Sequence, residues 1–290
     1  MSDSRQRFFI EHSPVRGDVV QLDSTLHTIL RQRHYPTVLN RFLGELLVGA
    51  ALLASTLKIK GRLSIQAQGQ GELRWAMAEC SDQGELRGLV DYAEEADWAS
   101  MTDTADVLAL LQGGVLFINI EPEGGERYQG IVALDQPSLA ECLTGYYAQS
   151  AQIPTRIVLG CDGHTAGGLL IQLLPRRDDE HEHTDSDLWP RLQMLTQTLT
   201  AEELCSLSAQ ELLHRLYHEE DVRLPEAEAL RFGCTCSRER CEMALLQVGR
   251  ESVEDILRDD AEVRMDCQFC NTQYRFGAEE ALGLFGVHVS

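Results

Sequence analysis

Cys234-Thr235-Cys236 and, thirty residues further on, Cys267-Gln268-Phe269-Cys270 hold four of the nine cysteines of this 290-residue chain. Two close-set thiol pairs joined by a foldable span meet the needs of a tetrahedral zinc ion, because each pair turns back to offer two sulfurs at about 2.3 Å from one metal. Four sulfurs fill the coordination sphere and leave no position for water or substrate, which excludes a catalytic zinc. The first pair is spaced by one residue instead of the usual two. In an extended strand two such thiols share a face but stand too far apart to converge, so a bend is expected at Thr235. Either pair is also near enough to close on itself as a disulfide, since such bends give Cα separations within the roughly 4.4–6.8 Å window for bridging. A permanent metal cage and a cage opened by oxidation are both compatible with the pattern. A metal-held thiolate remains a target that an oxidant takes to sulfenic acid and a neighbouring thiol then captures. A structural zinc contributes on the order of 10–16 kcal/mol to a small metal domain, which rivals the whole stability of most domains, so its ejection would unfold the segment.

Outward from the cysteines, composition sets the surroundings. At 290 residues and 43% hydrophobic content the chain has enough material for one large domain or two smaller ones. The cysteine count is odd, and the start Met1-Ser2-Asp3-Ser4 lacks a charged-then-apolar signal pattern, so a cytoplasmic location is expected. The longest apolar run, Leu46 to Leu57, contains Gly49 and falls short of the ~20 residues that cross a bilayer, so no membrane partner is expected. A formal net charge of −21 repels phosphates, and Asp259, Asp260 and Glu262 lie in the cysteine-bearing region, which disfavours nucleic acid. Gly124-Gly125 and Gly167-Gly168 are not followed by Gly-Lys-Ser/Thr, so neither supports an ATP site, and both are expected to be turns.

Periodicity divides the chain further. Ser24 is a candidate cap for a helix through Leu26, Ile29 and Leu30, and Thr37 begins a longer one in which Phe42, Leu46, Leu47, Ala50 and Leu53 recur at helical spacing. Leu63, Ile65 and Ala67, then Leu73, Trp75 and Met77, alternate with more polar or smaller residues as half-buried strands do, with Gly69-Gln70-Gly71 turning between them. Further strands are expected at 87–92, 115–120, 128–134, 156–161 and 169–174. The fold class is therefore α+β, an N-terminal mixed strand and helix domain. After Leu174 a charged run from Pro175 to Asp185 marks an exposed boundary, and its His181 and His183 are taken as solvated. From Trp189 to Tyr217 helical stripes return, Leu192, Leu195 and Leu199 first, then Leu204, Leu212, Leu213 and Leu216. Residues 176–229 carry 14 Asp and Glu against 5 Arg, a balance of −9, so these helices must lean on another surface. The expected domains are an α+β body at 1–175, an acidic helical linker at 176–230 and a small four-cysteine zinc domain at 231–290. Cys80, Cys142, Cys161 and Cys205 lie in helix or strand patterns where a small buried hydrophobe is the default, with Cys142 a candidate reactive free thiol. Cys241 sits on a helix begun near Ser237 and is not needed to complete the tetrahedron.

The residues around the cysteines, Phe232-Gly233-Cys234-Thr235-Cys236-Ser237-Arg238-Glu239-Arg240-Cys241 followed by Cys267-Gln268-Phe269-Cys270, resemble the zinc domain of the redox-regulated 33-kDa heat-shock chaperones of bacteria. Leu216-Tyr217-His218-Glu219-Glu220, Glu126-Arg127-Tyr128-Gln129-Gly130, Pro154-Thr155-Arg156 and the run around Glu45-Leu46-Leu47-Val48 extend the resemblance over nearly the whole chain. It implies an ATP-independent holdase, not an enzyme, that is idle when reduced and zinc-loaded and binds unfolding or oxidatively damaged client proteins once oxidised. By position it makes Cys234, Cys236, Cys267 and Cys270 the zinc ligands, with Cys234 bridging Cys236 and Cys267 bridging Cys270 after oxidation. A homodimer of the oxidised form stays open. Two alternatives stand beside it, a thiol-disulfide oxidoreductase using Cys267 and Cys270 and a static zinc-stabilised interaction module.

Overall fold

The computed structural model describes residues 3–58, 60–101, 103–111, 113–175 and 185–286; the run 176–184, with His181 and His183, lies outside them. The chain separates into two compact units, Met1–Gly233 and Cys234–Ser290. In the first, β1 (Ser4–Ile10) and β2 (Val15–Leu22) precede α1 (Ser24–Leu30) and α2 (Thr37–Thr56). A meander of β3 (Gly61–Gln68), β4 (Leu73–Ser81) and β5 (Glu85–Tyr92) follows, then α3 (Thr104–Leu110) and the hairpin of β6 (Val115–Pro122) and β7 (Tyr128–Ala133). Next come α4 (Leu139–Tyr146) and the hairpin of β8 (Thr155–Cys161) and β9 (Ala166–Leu173). Three helices, α5 (Leu188–Thr196), α6 (Ala201–Ser206) and α7 (Ala209–Tyr217), lead to three two-residue strands, β10 (Val222–Arg223), β11 (Glu228–Ala229) and β12 (Arg231–Phe232).

The strands form two sheets, one ordered β10-β1-β2-β9-β8 with β11 also on β1, the other β12-β5-β4-β3-β6-β7. Helix α2 lies in the core between them, because one apolar cluster takes side chains from α2 and from strands of both sheets. Leu46, Leu47, Val48, Ala50, Ala51 and Leu52 are all fully buried, the all-round apolar character of a helix enclosed by protein. By length and composition this 20-residue helix matches a membrane span, which the Leu46–Leu57 run understated; its apolar surface is instead taken up by the core. The α+β class and the strand positions expected from alternation stand as observed, but a bulge between Leu73 and Trp75 turns Ala76, Ala78 and Cys80 of β4 to the α2 core and leaves Trp75 and Met77, expected inside, on the other face.

The first sheet is covered on both faces. Val20, Leu22 and Leu170 face the α2 core, whereas Val15, Val19, Leu169 and Ile171 join a second cluster with Leu192, Leu199, Leu204, Leu212, Leu213, Leu216 and Tyr217 of the acidic segment. The amphipathic stripes thus find the surface they lack, and β9 reads as a continuous apolar run as a doubly covered strand does. The Gln21 side-chain amide donates to Leu207 O at 2.6 Å and pins the turn between α6 and α7 to β2.

Two further expectations need correction. Gly167-Gly168 is not a turn but lies inside β9. A Cβ at Gly167 would stand 2.3 Å from Leu204 O of α6, and one at Gly168 2.6 Å from Val48 Cγ1 of α2, so the pair lets a helix approach each face of the strand. Ser24 is the first residue of α1 and does not cap it. The cap comes from Asp3, whose carboxylate accepts from Asp23 N at 2.6 Å and from Thr25 N at 3.1 Å.

Candidate metal centre

The second unit is built of α8 (Arg238–Val248), α9 (Arg250–Asp259), the hairpin β13 (Glu262–Asp266) and β14 (Gln273–Gly277), and α10 (Ala278–Gly283). Among the described residues its core has five buried hydrophobic side chains, Leu245, Val253, Val263, Phe276 and Ala281, too few to hold so small a unit without a further cross-link. Four thiols supply the means for one.

Each cysteine pair is placed by backbone geometry. Residues 233–237 are irregular chain without the bend expected at Thr235, yet the Cys234 and Cys236 sulfurs converge. The following helix is anchored by Ser237, whose Oγ accepts from Arg240 N at 3.3 Å, and Arg240 Nη1 donates back to Thr235 Oγ1 at 2.6 Å. Cys267 and Cys270 occupy the turn of the β13–β14 hairpin. Cys267 N donates to Thr272 O at 2.9 Å and Asn271 N to Cys267 O at 2.8 Å, with Asn271 in the left-handed region at φ 54°. A thioredoxin-like pair opens a helix; this one is followed by β14, so the oxidoreductase alternative loses its structural context.

All four Sγ atoms lie within 4.8 Å of one another, with Cys234 to Cys267 at 3.6 Å and Cys236 to Cys270 at 3.4 Å. A tetrahedron with metal–sulfur bonds of about 2.3 Å has edges of about 3.8 Å, so the thiols already stand near the vertices a metal ion requires. An all-sulfur tetrahedral donor set suits zinc or iron. Burial, with the neighbouring sulfurs adding to it, pushes the Cys234 thiol up to about 12, whereas the Cys270 thiol comes down to about 7 because hydrogen bonding with Thr272, Cys236 and Cys267 outweighs burial. Thr272 Oγ1 is 3.1 Å from Cys270 Sγ, and the Tyr274 hydroxyl donates to Cys236 Sγ at 3.2 Å. Four thiolates this close repel one another unless a cation sits among them.

The other five cysteines stand apart from this group. Cys241, on α8, packs beside the small core, and burial followed by the Cys236 and Cys267 charges raises its thiol. Cys80, Cys142, Cys161 and Cys205 are buried in the first unit, where burial raises every one of these thiols and makes Cys142 a poor nucleophile. Sequence reasoning missed Thr272 and Tyr274 as sulfur partners: Thr272 lies only two residues from Cys270 in the same turn, and Tyr274 reaches Cys236 across thirty-eight residues of chain.

Comparison with known proteins finds relatives over nearly the whole chain. Curated relatives called 33 kDa chaperonin include one from Ectopseudomonas mendocina, 44% identical over 98% of this chain and 96% of its own, and one from Shewanella woodyi, 41% identical over the same shares. The crystal structure of the 33 kDa chaperonin of Thermotoga maritima shares the fold with a TM-score of 0.81 at 24% identity, covering 98% of each chain. The model of the Hsp33 protein family matches residues 3–277, and the chain belongs to that family.

Proposed function

We propose that this protein is a redox-switched, ATP-independent chaperone of the cytoplasm that holds unfolding proteins and performs no turnover chemistry. The observation that carries this is the four-sulfur cluster in a unit whose own core is too small to persist without it. Cys234, Cys236, Cys267 and Cys270 would hold zinc, and the ion when bound supplies a structural cross-link. Peroxide oxidises two thiols to one disulfide and is itself reduced to water. Once the metal leaves and the unit loosens, the disulfides would be those that the family resemblance implies, Cys234 with Cys236 and Cys267 with Cys270.

Loss of that unit reaches the first through the chain itself. Cys234 follows β12 by two residues, and β10, β11 and β12 are each only two residues long. Between α7 and Gly233 the chain is held by those short pairings, by the buried Leu230 and by ion pairs such as Arg231 to Glu85 at 3.1 Å. Exposed ion pairs contribute about 0–1 kcal/mol each, so this segment is the first to fray. Once α5–α7 follow, the outer face of the first sheet and the apolar faces of the helices are both free to bind clients. Burial at roughly 25 cal/mol per Å2 needs no sequence-specific pocket, which accounts for broad client choice.

The test is to follow metal release and suppression of citrate synthase aggregation together while peroxide is added at mildly elevated temperature. The two curves should rise in step. Metal release without holdase activity leaves a static metal-stabilised module as the better description.

A further inference from the structure

At the C-terminal end of α2 the two sheets part around a cavity of about 180 Å3. Leu53, Leu63 and Ile118 supply apolar wall from α2, β3 and β6, and the exposed Ala151 on its lining opens it to solvent. A cavity of about 150 Å3 with such walls accepts a benzene-sized molecule.

One cation stands in this wall. Arg16 of β2 sends Nε and Nη2 to a single acceptor, Gln172 Oε1, at 3.2 and 2.9 Å, and its Nη1 donates to no protein atom among the described residues. The carboxylate two residues along β2, Asp18, is engaged by Arg7 Nε at 3.1 Å, so the Arg7–Asp18 pair is neutral and the Arg16 charge is left over. Three of the last carbonyls of α2, which would oppose an anion, have donors: Leu53 O accepts from Thr56 Oγ1 at 2.8 Å, Ala54 O from Leu57 N at 3.1 Å and Ser55 O from Arg7 Nη2 at 2.5 Å. Burial, above all, draws the Arg16 guanidinium below its ordinary value, yet an arginine remains charged, so it gains from an incoming anion. More of the wall is aromatic. Tyr146 and Tyr147, with ring centroids 5.5 Å apart, are presented at a π-helical turn, Tyr147–Ala151, that ends on Gln152 at φ 53°. Turns of this kind are rare and recur at functional sites.

We propose that this cavity binds a small amphipathic carboxylate, with an apolar body of about six to eight carbons among the aliphatic and tyrosine side chains and its carboxylate on Arg16. Alkyl and aryl acids share this chemistry, and the probes separate them. Hexanoate, 3-phenylpropionate, hexan-1-ol and hexylammonium are titrated calorimetrically into the reduced, metal-loaded full-length protein, and its thermal unfolding is recorded with each. At least one carboxylate should bind with one-to-one stoichiometry and raise the melting temperature, the better fit deciding between chain and ring. The alcohol should bind at least roughly tenfold more weakly, the loss expected for one charge-assisted hydrogen bond, and the ammonium not at all. Arg16→Met should abolish the preference for acid over alcohol, and Ile120→Phe, which narrows the cavity, should weaken both. Equal affinity for hexanoate and hexanol in the unaltered protein, absence of binding in the millimolar range, or an Arg16→Met variant that keeps the preference would overturn the assignment. Should Arg16→Met not fold, the acid-to-alcohol ratio and Ile120→Phe still decide.

Discussion

Truncating Leu212 to alanine separates docking of the acidic helices from the metal centre. Leu212 is fully buried in the cluster that joins α7 to β1, β2 and β9, and it belongs to the first unit. Removing its isobutyl group costs about 2–5 kcal/mol, from lost transfer free energy plus the void left behind. If that cost falls on the docked form, a central value of about 3 kcal/mol shifts the docked-to-undocked equilibrium about 140-fold. Leu212→Ala should therefore retain its metal at the level of the unaltered protein and still suppress aggregation of thermally unfolding citrate synthase without oxidant. Limited proteolysis should show faster cleavage within residues 188–217. Leu52→Ala in α2 is the control, since its comparable cost falls on the core between the sheets and not on the acidic helices. The reasoning is refuted if Leu212→Ala becomes protease-sensitive in that segment but remains inert toward clients while reduced.

Further outcomes follow from particular contacts. Gly167→Ala places a methyl 2.3 Å from Leu204 O, a backbone atom with little freedom to yield, so the reduced variant should show partial holdase activity, and a light-scattering trace like that of the unaltered protein would contradict this. Tyr274→Phe removes the donor to Cys236 Sγ, worth about 1–2 kcal/mol, and should speed peroxide-driven metal release about tenfold in a dye-coupled stopped-flow assay; an unchanged rate would remove Tyr274 from the switch. Glu45 accepts from Thr104 Oγ1 at 3.0 Å, and burial raises its carboxyl to about 7. Because its folded value lies above its unfolded one, stability is greatest below the unfolded value near 4.5 and declines by about 3 kcal/mol as pH rises through 7. Urea unfolding between pH 5 and 8 should show that slope in the unaltered protein and a flatter profile in Glu45→Gln.

What the sequence made legible depends on how local each signal is. Strand β3 shows as alternation because one face meets α2 while the other is less buried, whereas in β4 a bulge after Leu73 reverses the faces, so that the small Ala76 and Ala78 meet the core and the larger Trp75 and Met77 do not. Strand β2 gives no such signal, because α2 covers one face and α5–α7 the other, and Val19 and Val20 are buried on opposite sides. Gly167 and Gly168 mislead for the same reason, since a glycine needed for close approach has the same letters as one needed for a turn. The Asp3 cap joins residues twenty apart in the chain and follows no local rule. The four sulfurs were readable because ligand chemistry and spacing survive without tertiary knowledge. The partner Tyr274 joins Cys236 across thirty-eight residues and follows no local rule, whereas Thr272 sits in the same turn as Cys270 and its spacing alone does not mark it as a sulfur partner.

The most direct measurement is made on the variant in which Cys234, Cys236, Cys267 and Cys270 are all serine, assayed against thermally unfolding citrate synthase with no oxidant present. Such a chain binds no metal at this site, residues 234–290 should be unfolded by hydrogen exchange, and aggregation should be suppressed as fully as by the peroxide-treated parent. A variant that is unfolded in that region and yet leaves the client to aggregate would contradict the claim that the metal keeps the binding surface covered.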